Sequence, residues 1–308
     1  MVKPNFFILG AAKAGTTALA QILMQHPEAF IPKDKELNFL LACEAESYLA
    51  LNGFKKITDK NHYCGSFYRG WKWYETCYRE VATEKAIGDA SVSYFFEKSS
   101  HKLLKEYFSD ARFIVMLRDP VDRLYSHYQQ EVKVNIAHKT INSFEDLYKK
   151  NHPRFNYFAK SSHYKARILE LFELFNREQF IFILFDDFKT NQERELKRVF
   201  EFLDIDPNFT VKKGDINFNP HTIPRSKIIT RISALFSNNH IFYNLPLSLK
   251  RPIFKAKKLI FDVFRLHPVV VKYEPLSQDL RKEILPKFLE DTEFIEQLLN
   301  RDLTHWKV

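Results

Sequence analysis

A lysine set among small residues, with two threonines opening a helical pattern behind it, is suited to gripping phosphate. The chain carries such a stretch near its start, Gly10-Ala11-Ala12-Lys13-Ala14-Gly15-Thr16-Thr17. Before it, Phe6 to Leu9 is an apolar run of strand length. After it, Ala18 to Met24 places its apolar residues at helical spacing. A strand, a loop of small residues and a helix start bring backbone N–H groups and the positive helix end to one point. The spacing is that of G-x-x-x-x-G-K-[ST], except that Thr16 stands where the lysine belongs and the cation sits inside the loop as Lys13. Kinases and ATPases use the lysine after the second glycine on the β- and γ-phosphates. The displaced Lys13 therefore predicts a phosphate-like ligand and argues against ordinary nucleoside triphosphate chemistry. The plain alternative is a tight strand-to-helix turn without a ligand.

A second stretch has the same grammar. Ala111 to Leu117 reads as a buried strand, Arg118 follows at its carboxyl end, and Asp119-Pro120 supplies an N-cap and a first helical residue. The following helix carries Arg123, Ser126 and Tyr128. Ligands of open α/β sheets bind outside the carboxyl ends of the strands. Arg118 and Ser126 are thus placed to hold a second phosphate. A surface ion pair of Arg118 with Asp119 or Asp122 explains the same residues equally well.

Together the two stretches resemble the sulfotransferase family that uses 3′-phosphoadenosine 5′-phosphosulfate (PAPS). Gly10 to Thr17 is similar to the family's 5′-phosphosulfate loop, G-x-x-K-[SAT]-G-T-[ST]. Arg118-Asp-Pro-Val-Asp-Arg-Leu-Tyr-Ser126-His-Tyr128 is similar to its 3′-phosphate motif, R-D-P-x-x-R-x-x-S-x-Y. The resemblance continues through Gly88 to Tyr94, Ser162 to Tyr164, Phe180 to Asp187, Val199 to Asp204 and Leu298 to Trp306, and is weakest over Ser237 to Pro268. It implies that Gly10, Ala12, Lys13, Ala14, Gly15, Thr16, Thr17, Arg118 and Ser126 bind the donor. It implies further that Lys13 stabilises the leaving phosphate, and that no metal is required. The chain shows no H-x-x-x-H or Cys-x-x-Cys pair that would suggest one. Arg225 and Lys227 fall where bacterial members place a basic residue near the 3′-phosphate, and Arg225 is taken as a donor-binding candidate. Lys272 falls where the glycan-modifying branch has a basic loop, but the glycine and arginine of that loop are absent.

The glycan-modifying branch takes its general base from a motif like K-E-[VI]-[HQ]-F-F. Lys35-Glu36-Leu37-Asn38-Phe39-Leu40 is similar, which makes Glu36 the candidate base and Lys35 and Asn38 acceptor-side candidates. Without that resemblance, Lys33 to Glu36 reads as a solvated charge run. The histidines His62, His101, His127 and His163 match no base motif. His163 and Tyr164 are carried as acceptor-side residues. The cluster Trp71, Trp73, Tyr74 and Tyr78 resembles the G-x-x-W-Y stretch of glycan sulfotransferases, so Trp73 is a candidate for stacking on a sugar; core packing is the competing explanation.

The elements that position these residues alternate. The patterns predict strands over 5–9, 86–89, 112–117 and 179–185. They predict helices over 15–25, 70–80, 93–107, 120–133, 160–175 and 191–203, and a helical last third ending in 277–300. This is an α/β pattern, a parallel sheet with helices on both faces. The resemblance makes it a P-loop-type three-layer fold with a helical C-terminal part. No Gly/Ser- or Pro-rich linker divides the 308 residues, so one domain over 1–308 is expected, with 237–275 as a basic, aromatic insert.

The net charge of +9 resides in one stretch. Between Arg225 and Tyr273 ten lysines and arginines face a single acid, Asp262. Two readings follow: an electropositive wall for the nucleotide donor and a polar, even acidic, carbohydrate, or a basic amphipathic surface touching a membrane and a glycolipid acceptor. No nucleic-acid-binding motif accompanies the charge. Three cysteines, Cys43, Cys64 and Cys77, make no even disulfide framework. With no signal peptide or membrane-length apolar run, the expected location is cytoplasmic, with peripheral contact at the inner membrane face as the variant, unless the sequence is a catalytic piece of a longer protein. The competing functions are a P-loop kinase using ATP and a non-catalytic binding relative.

Overall fold

The apolar run Phe6 to Leu9 is hidden on both faces because it lies at the centre of a sheet. The computed structural model describes residues 2–41, 66, 69–134, 143–211, 222–223, 269–270 and 274–308. Five parallel strands, β1 (Phe6–Gly10), β2 (Ala29–Phe30), β3 (Ala86–Asp89), β4 (Arg112–Leu117) and β5 (Phe180–Leu184), run in the order β2-β3-β1-β4-β5. Near-continuous burial of β1, β4 and β5 is the mark of a parallel sheet covered on both sides. The expected α/β class with a helical C-terminal part is what the chain adopts.

Helices connect the strands, as parallel pairing requires. They are α1 (Thr16–Leu23), α2 (Gly70–Thr76), α3 (Lys98–Tyr107), α4 (Pro120–Val134), α5 (Phe144–Lys149), α6 (Pro153–Lys160), α7 (Tyr164–Phe172), α8 (Phe185–Thr190) and α9 (Gln192–Leu203), then α10 (Gln278–Ile284) and α11 (Leu289–Leu299). The core is aromatic. Phe113 packs edge-on against Phe175 and stacks on Phe180, and Phe7 meets Phe108 edge-on.

Three helices differ from the sequence expectation. The run 93–107 opens as a separate turn, Val92–Phe95, and becomes α-helical only at Lys98. Tyr94 and Phe95 turn inward there, so the chain breaks between the turn and the helix. The run 160–175 is α7 alone, preceded by the distinct α6. Residues Ser161 to His163 leave the helix, and the Ser162 hydroxyl donates to the Pro120 carbonyl at 2.8 Å. The run 70–80 stops at Thr76, where Cys77 and Tyr78 close with tighter i→i−3 bonds to Tyr74 and Glu75. The two-residue β2 and the short α5 and α8 carry too little periodicity to be read in advance.

The chain forms two compact units. The first holds residues 1–127, 144–218 and 277–308 and contains the whole five-stranded sheet. The second holds 128–143 and 219–276 and contains an antiparallel pair, β6 (Thr222–Ile223) with β7 (Val269–Val270). Of the basic stretch 237–275, only 269–270 and 274–275 are described. Among the described residues no helix is long and apolar enough to cross a membrane.

His101, on α3, is fully buried, and its Nε2–H donates to the Phe95 carbonyl at 3.1 Å. Nδ1 lies 3.7 Å from Glu170, while Arg167 and Lys98 add positive charge nearby. Burial pushes its pKa down to about 4, so the folded state holds the neutral ring. The unfolded chain takes up this proton near pH 6.5. Stability from this site is therefore complete above that pH and declines as pH falls toward 4. Urea unfolding between pH 7 and 4.5 should show a loss of about 1 kcal/mol per pH unit from His101, and His101→Gln should flatten the profile.

Candidate functional site

The carboxyl ends of β2, β3, β1 and β4 lie side by side, and each contributes to the site. From β1, the loop Gly10 to Gly15 keeps Ala11 and Ala14 buried and leaves Ala12 and Lys13 half-buried. Ala11 N–H donates to the Met116 carbonyl of β4 at 2.6 Å, which ties the loop to the neighbouring strand. Lys13 and Gly15 both have positive φ, 73° and 93°. A left-handed non-glycine residue is held by its surroundings at some cost and is common where function fixes the backbone. A side chain at Gly15 would also meet the Phe185 ring at 3.0 Å. The helical ladder of α1 starts with Leu19 N–H on the Gly15 carbonyl, so the N–H groups of Thr16, Thr17 and Ala18 precede it. No side chain caps this end and no acid lies in its first turn, which leaves its positive end for an anion.

From β4, Arg118 reaches back over the loop. Its Nη1 donates to the Lys13 carbonyl at 3.3 Å, and its guanidinium lies 4.9 Å from the centre of the Phe185 ring. The two anion motifs, 105 residues apart in sequence, are thereby one site. Tyr164 donates its hydroxyl to the Arg118 carbonyl at 2.8 Å and is fully buried, so it props the end of β4. Ser126, only 7% exposed on α4, has no side-chain hydrogen bond among the described residues. One turn before it, Arg123 is fully buried. Its Nε donates to Ser162 Oγ at 2.6 Å and its Nη2 to the Phe158 carbonyl, and Nη1 lies 3.5 Å from His127 Nδ1. Among the described residues Arg123 has no carboxylate partner, and burial lowers its pKa to about 10. Burial, and then the charge of Arg123, push His127 down to about 3, so that ring is neutral. Among the described residues Arg123 is thus a buried cation with neutral partners only, one turn before Ser126 on α4.

The third part is the segment Ile31 to Leu41. Leu37, Phe39 and Leu40 are buried, whereas Glu36 is 43% exposed. Phe39 stacks on Tyr74 of α2 with ring centres 4.3 Å apart, and the Trp73 ring lies 6.1 Å from Phe39 with the Arg69 guanidinium 4.5 Å from the Trp73 ring centre. Glu36 and Asn38 both have positive φ, 66° and 49°. Lys35 bridges the parts: its Nζ donates to Thr17 Oγ1 at 3.2 Å and pairs with Glu36 Oε1 at 3.1 Å. Glu36 therefore stands one lysine away from the phosphate loop. Asn38 Oδ1 is buried without a partner among the described residues.

Asp89, at the end of β3, holds this segment and was not visible in the sequence patterns. It is fully buried, and burial pushes its carboxyl above the usual range. Among the described residues its side-chain donors are all hydroxyls, joined by the Ser91 backbone N–H. Ser91 Oγ donates to Oδ1 at 2.5 Å, and Tyr74 and Tyr94 donate to Oδ2 at 2.8 and 3.1 Å. Two of these pass the support outward, because Ser91 Oγ accepts Asn38 N–H at 2.9 Å and the Tyr94 oxygen accepts Leu40 N–H at 3.0 Å. Phe185 is a second residue missed by sequence reasoning, since its contact with both Gly15 and Arg118 depends on β5 pairing with β4.

His163 lies elsewhere in this network. Its Nδ1 bonds Asp291 Oδ2 at 2.9 Å and its ring packs on Phe288, which ties it to the C-terminal helices. Arg225, Lys227 and Lys272 lie outside the described residues.

The model of the sulfotransferase family matches residues 4–209, more than half of the chain. The chain belongs to the sulfotransferase family. Both anion motifs and the Glu36 segment fall inside the matched span. Carbohydrate sulfotransferase 15 of Homo sapiens is 23% identical over 247 residues, covering 66% of this chain and 44% of that protein. The bifunctional heparan sulfate N-deacetylase/N-sulfotransferase 4 of Mus musculus is 27% identical over 132 residues, covering 42% of this chain and 13% of that protein. The chain spans less than half the length of these curated relatives. A crystal structure of a sulfotransferase from Alicyclobacillus acidocaldarius shares the fold, with a TM-score of 0.68 and 24% identity over 100% of both chains.

In this sulfotransferase-family chain, Tyr94→Phe removes the acceptor of the Leu40 N–H and one donor to Asp89. It should cost about 1–3 kcal/mol in urea unfolding, the penalty for a buried group left unpaired.

Proposed function

We propose that the chain transfers a sulfuryl group from PAPS to a hydroxyl or amine of a carbohydrate-type acceptor. The observation that carries this reading is the hydrogen bond from Arg118 to the Lys13 carbonyl, which makes one site of the two motifs suited to opposite ends of a doubly anionic nucleotide. The residues present fit such a donor. The loop of small residues lets a 5′-phosphosulfate approach the backbone and the α1 start, and Arg118 with Ser126, whose hydroxyl has no partner among the described residues, suits a 3′-phosphate.

Transfer is in-line, so positioning and charge stabilisation carry most of the catalysis, as in phosphoryl transfer. Glu36 takes the proton from the acceptor oxygen or nitrogen as that atom bonds to sulfur. The bond from sulfur to the phosphate oxygen breaks, and its electron pair stays on the departing phosphate. Lys13 and the loop N–H groups meet that charge. Lys35 sits between Thr17 and Glu36 and keeps the base close to the phosphosulfate end. Asn38, two residues after Glu36, and Trp73, on α2, are the acceptor-side residues of this reading. The carbohydrate and heparan sulfate relatives support a glycan-type acceptor. The location that accompanies this reading is cytoplasmic, with the basic stretch 237–275 contacting an acidic glycan or a membrane surface.

Labelled-sulfate transfer from PAPS onto a panel of polysaccharides, glycolipids and small alcohols tests the activity. Lys13→Ala should lower turnover by about a hundredfold or more. Glu36→Gln should lower it by a similar factor while leaving affinity for adenosine 3′,5′-bisphosphate unchanged. Normal turnover by Glu36→Gln rejects the base. A greater rise in Tm with Mg-ATP than with adenosine 3′,5′-bisphosphate would favour the kinase reading instead.

A further inference from the structure

We propose that Arg281, on α10, sets the preference for a 3′-phosphate by holding Asp119 and Asp122 away from Arg118. This deepens the donor reading above and rests on it. The sequence Arg118-Asp119-Pro120-Val121-Asp122 sets two acids within four residues of the guanidinium that a phosphate must reach, and Asp122 is the one in contact with it. Asp122 is one helical turn from Arg118, and its Oδ2 lies 3.6 Å from Arg118 Nη2. A carboxylate there competes with phosphate for the same N–H fork.

Arg281 occupies both acids. Its Nη1 donates to Asp122 Oδ1 at 2.9 Å and its Nη2 to Asp119 Oδ2 at 2.5 Å. Its Nε donates to the Val308 carbonyl at 2.6 Å, which anchors the side chain to the end of the chain. The Arg281 and Asp119 side chains are 12% and 7% exposed, so water screens that pair little, whereas Asp122 is half exposed and its pair is the more screened of the two. Asp119 is fixed a second time, because its Oδ1 accepts Asp122 N–H at 2.8 Å. The shared carboxylate of Asp122 thus makes its short contact with Arg281 and only its long one with Arg118. Two acids are balanced by two guanidiniums, and Arg118 keeps its face toward Lys13. Arg281 acts through Asp122 and Asp119 without touching the ligand, so it is a positioning residue. It lies beyond the residues matched by the family model.

Calorimetric titration of the full chain with adenosine 3′,5′-bisphosphate and with adenosine 5′-phosphate tests this. The natural chain should prefer the bisphosphate. Arg281→Ala should weaken bisphosphate binding about tenfold, the worth of one charge-assisted contact, and leave the 5′-phosphate within about twofold on the same scale. Adding Asp122→Asn to Arg281→Ala should restore the preference, because the competing carboxylate is gone. A purely structural Arg281 predicts equal loss of both ligands and no rescue, and either result overturns the proposal. An unchanged preference in Arg281→Ala overturns it too. A natural chain with no preference rejects the donor reading itself, a distinct failure. Should Arg281→Ala not fold, Arg281→Lys keeps a cation that cannot span both acids. An intermediate loss rescued by Asp122→Asn then supports the proposal, and no loss overturns it.

Discussion

Parallel pairing of β1 with β3 on one side and β4 on the other decides which loops of this chain can meet. Phe6 stands opposite Gly88 and Arg112, and Gly10 stands opposite Val115. With that register the ends Gly10, Asp89 and Leu117 fall at one edge of the sheet, where ligands of such folds bind. Each then emits a different chemical part: an anion loop, a carboxyl that fixes the Glu36 segment, and a guanidinium. A slip of β4 by two residues would move Arg118 by about 7 Å, given the rise per strand residue. Its reach to the Lys13 carbonyl would be lost. The aromatic core that sets this register, Phe7 on Phe108 and Phe113 on Phe180, is therefore part of the site's geometry.

Buried charge is handled in two opposite ways around that edge. Arg123 is a cation with only neutral partners among the described residues, an arrangement that ordinarily costs stability. Its field adds to that of Arg118 and Lys13 and favours anions. Asp89 is a carboxyl held without a cation, by Ser91, Tyr74 and Tyr94. Hydroxyls are a suitable choice here, since each donates inward and still accepts: Ser91 and Tyr94 take backbone N–H groups of the Glu36 segment, and Tyr74 takes the Tyr78 hydroxyl. A lysine or arginine in their place would donate only. The acid thus contributes rigidity beside the Lys13 loop with no paired cation among the described residues.

The parts legible in the sequence were those whose signal is local. The apolar runs of β1, β4 and β5 announced themselves, as did the Lys13 loop and the Arg118 to Ser126 spacing. Glu36 is ambiguous in the sequence, because Lys33 to Glu36 reads as a solvated run; Lys33, Asp34 and Glu36 are indeed exposed, while Leu37, Phe39 and Leu40 beside them are buried. Asp89, Phe185 and Arg281 gave no local signal. Their roles come from contacts with residues far away in sequence: Asp89 with the 38–40 segment through Ser91 and Tyr94, Phe185 with Gly15, and Arg281 with Asp119 across 162 positions. The helix breaks before Lys98 and at Ser161 to His163 were hidden for the same reason. Helical periodicity continues through both, and only inward-turned side chains and the Ser162 bond to Pro120 interrupt it.

The outermost strand on the β3 side, Ala29–Phe30, pairs through just two residues. Open sheet margins are templates on which foreign strands add, and nature commonly blunts them by shortening the last strand. Here the chain goes from that stub past Pro32 and into left-handed residues at Glu36 and Asn38, conformations that no ladder can extend. Among the described residues, the backbone that carries Glu36 thus ends the ladder at this margin of the sheet.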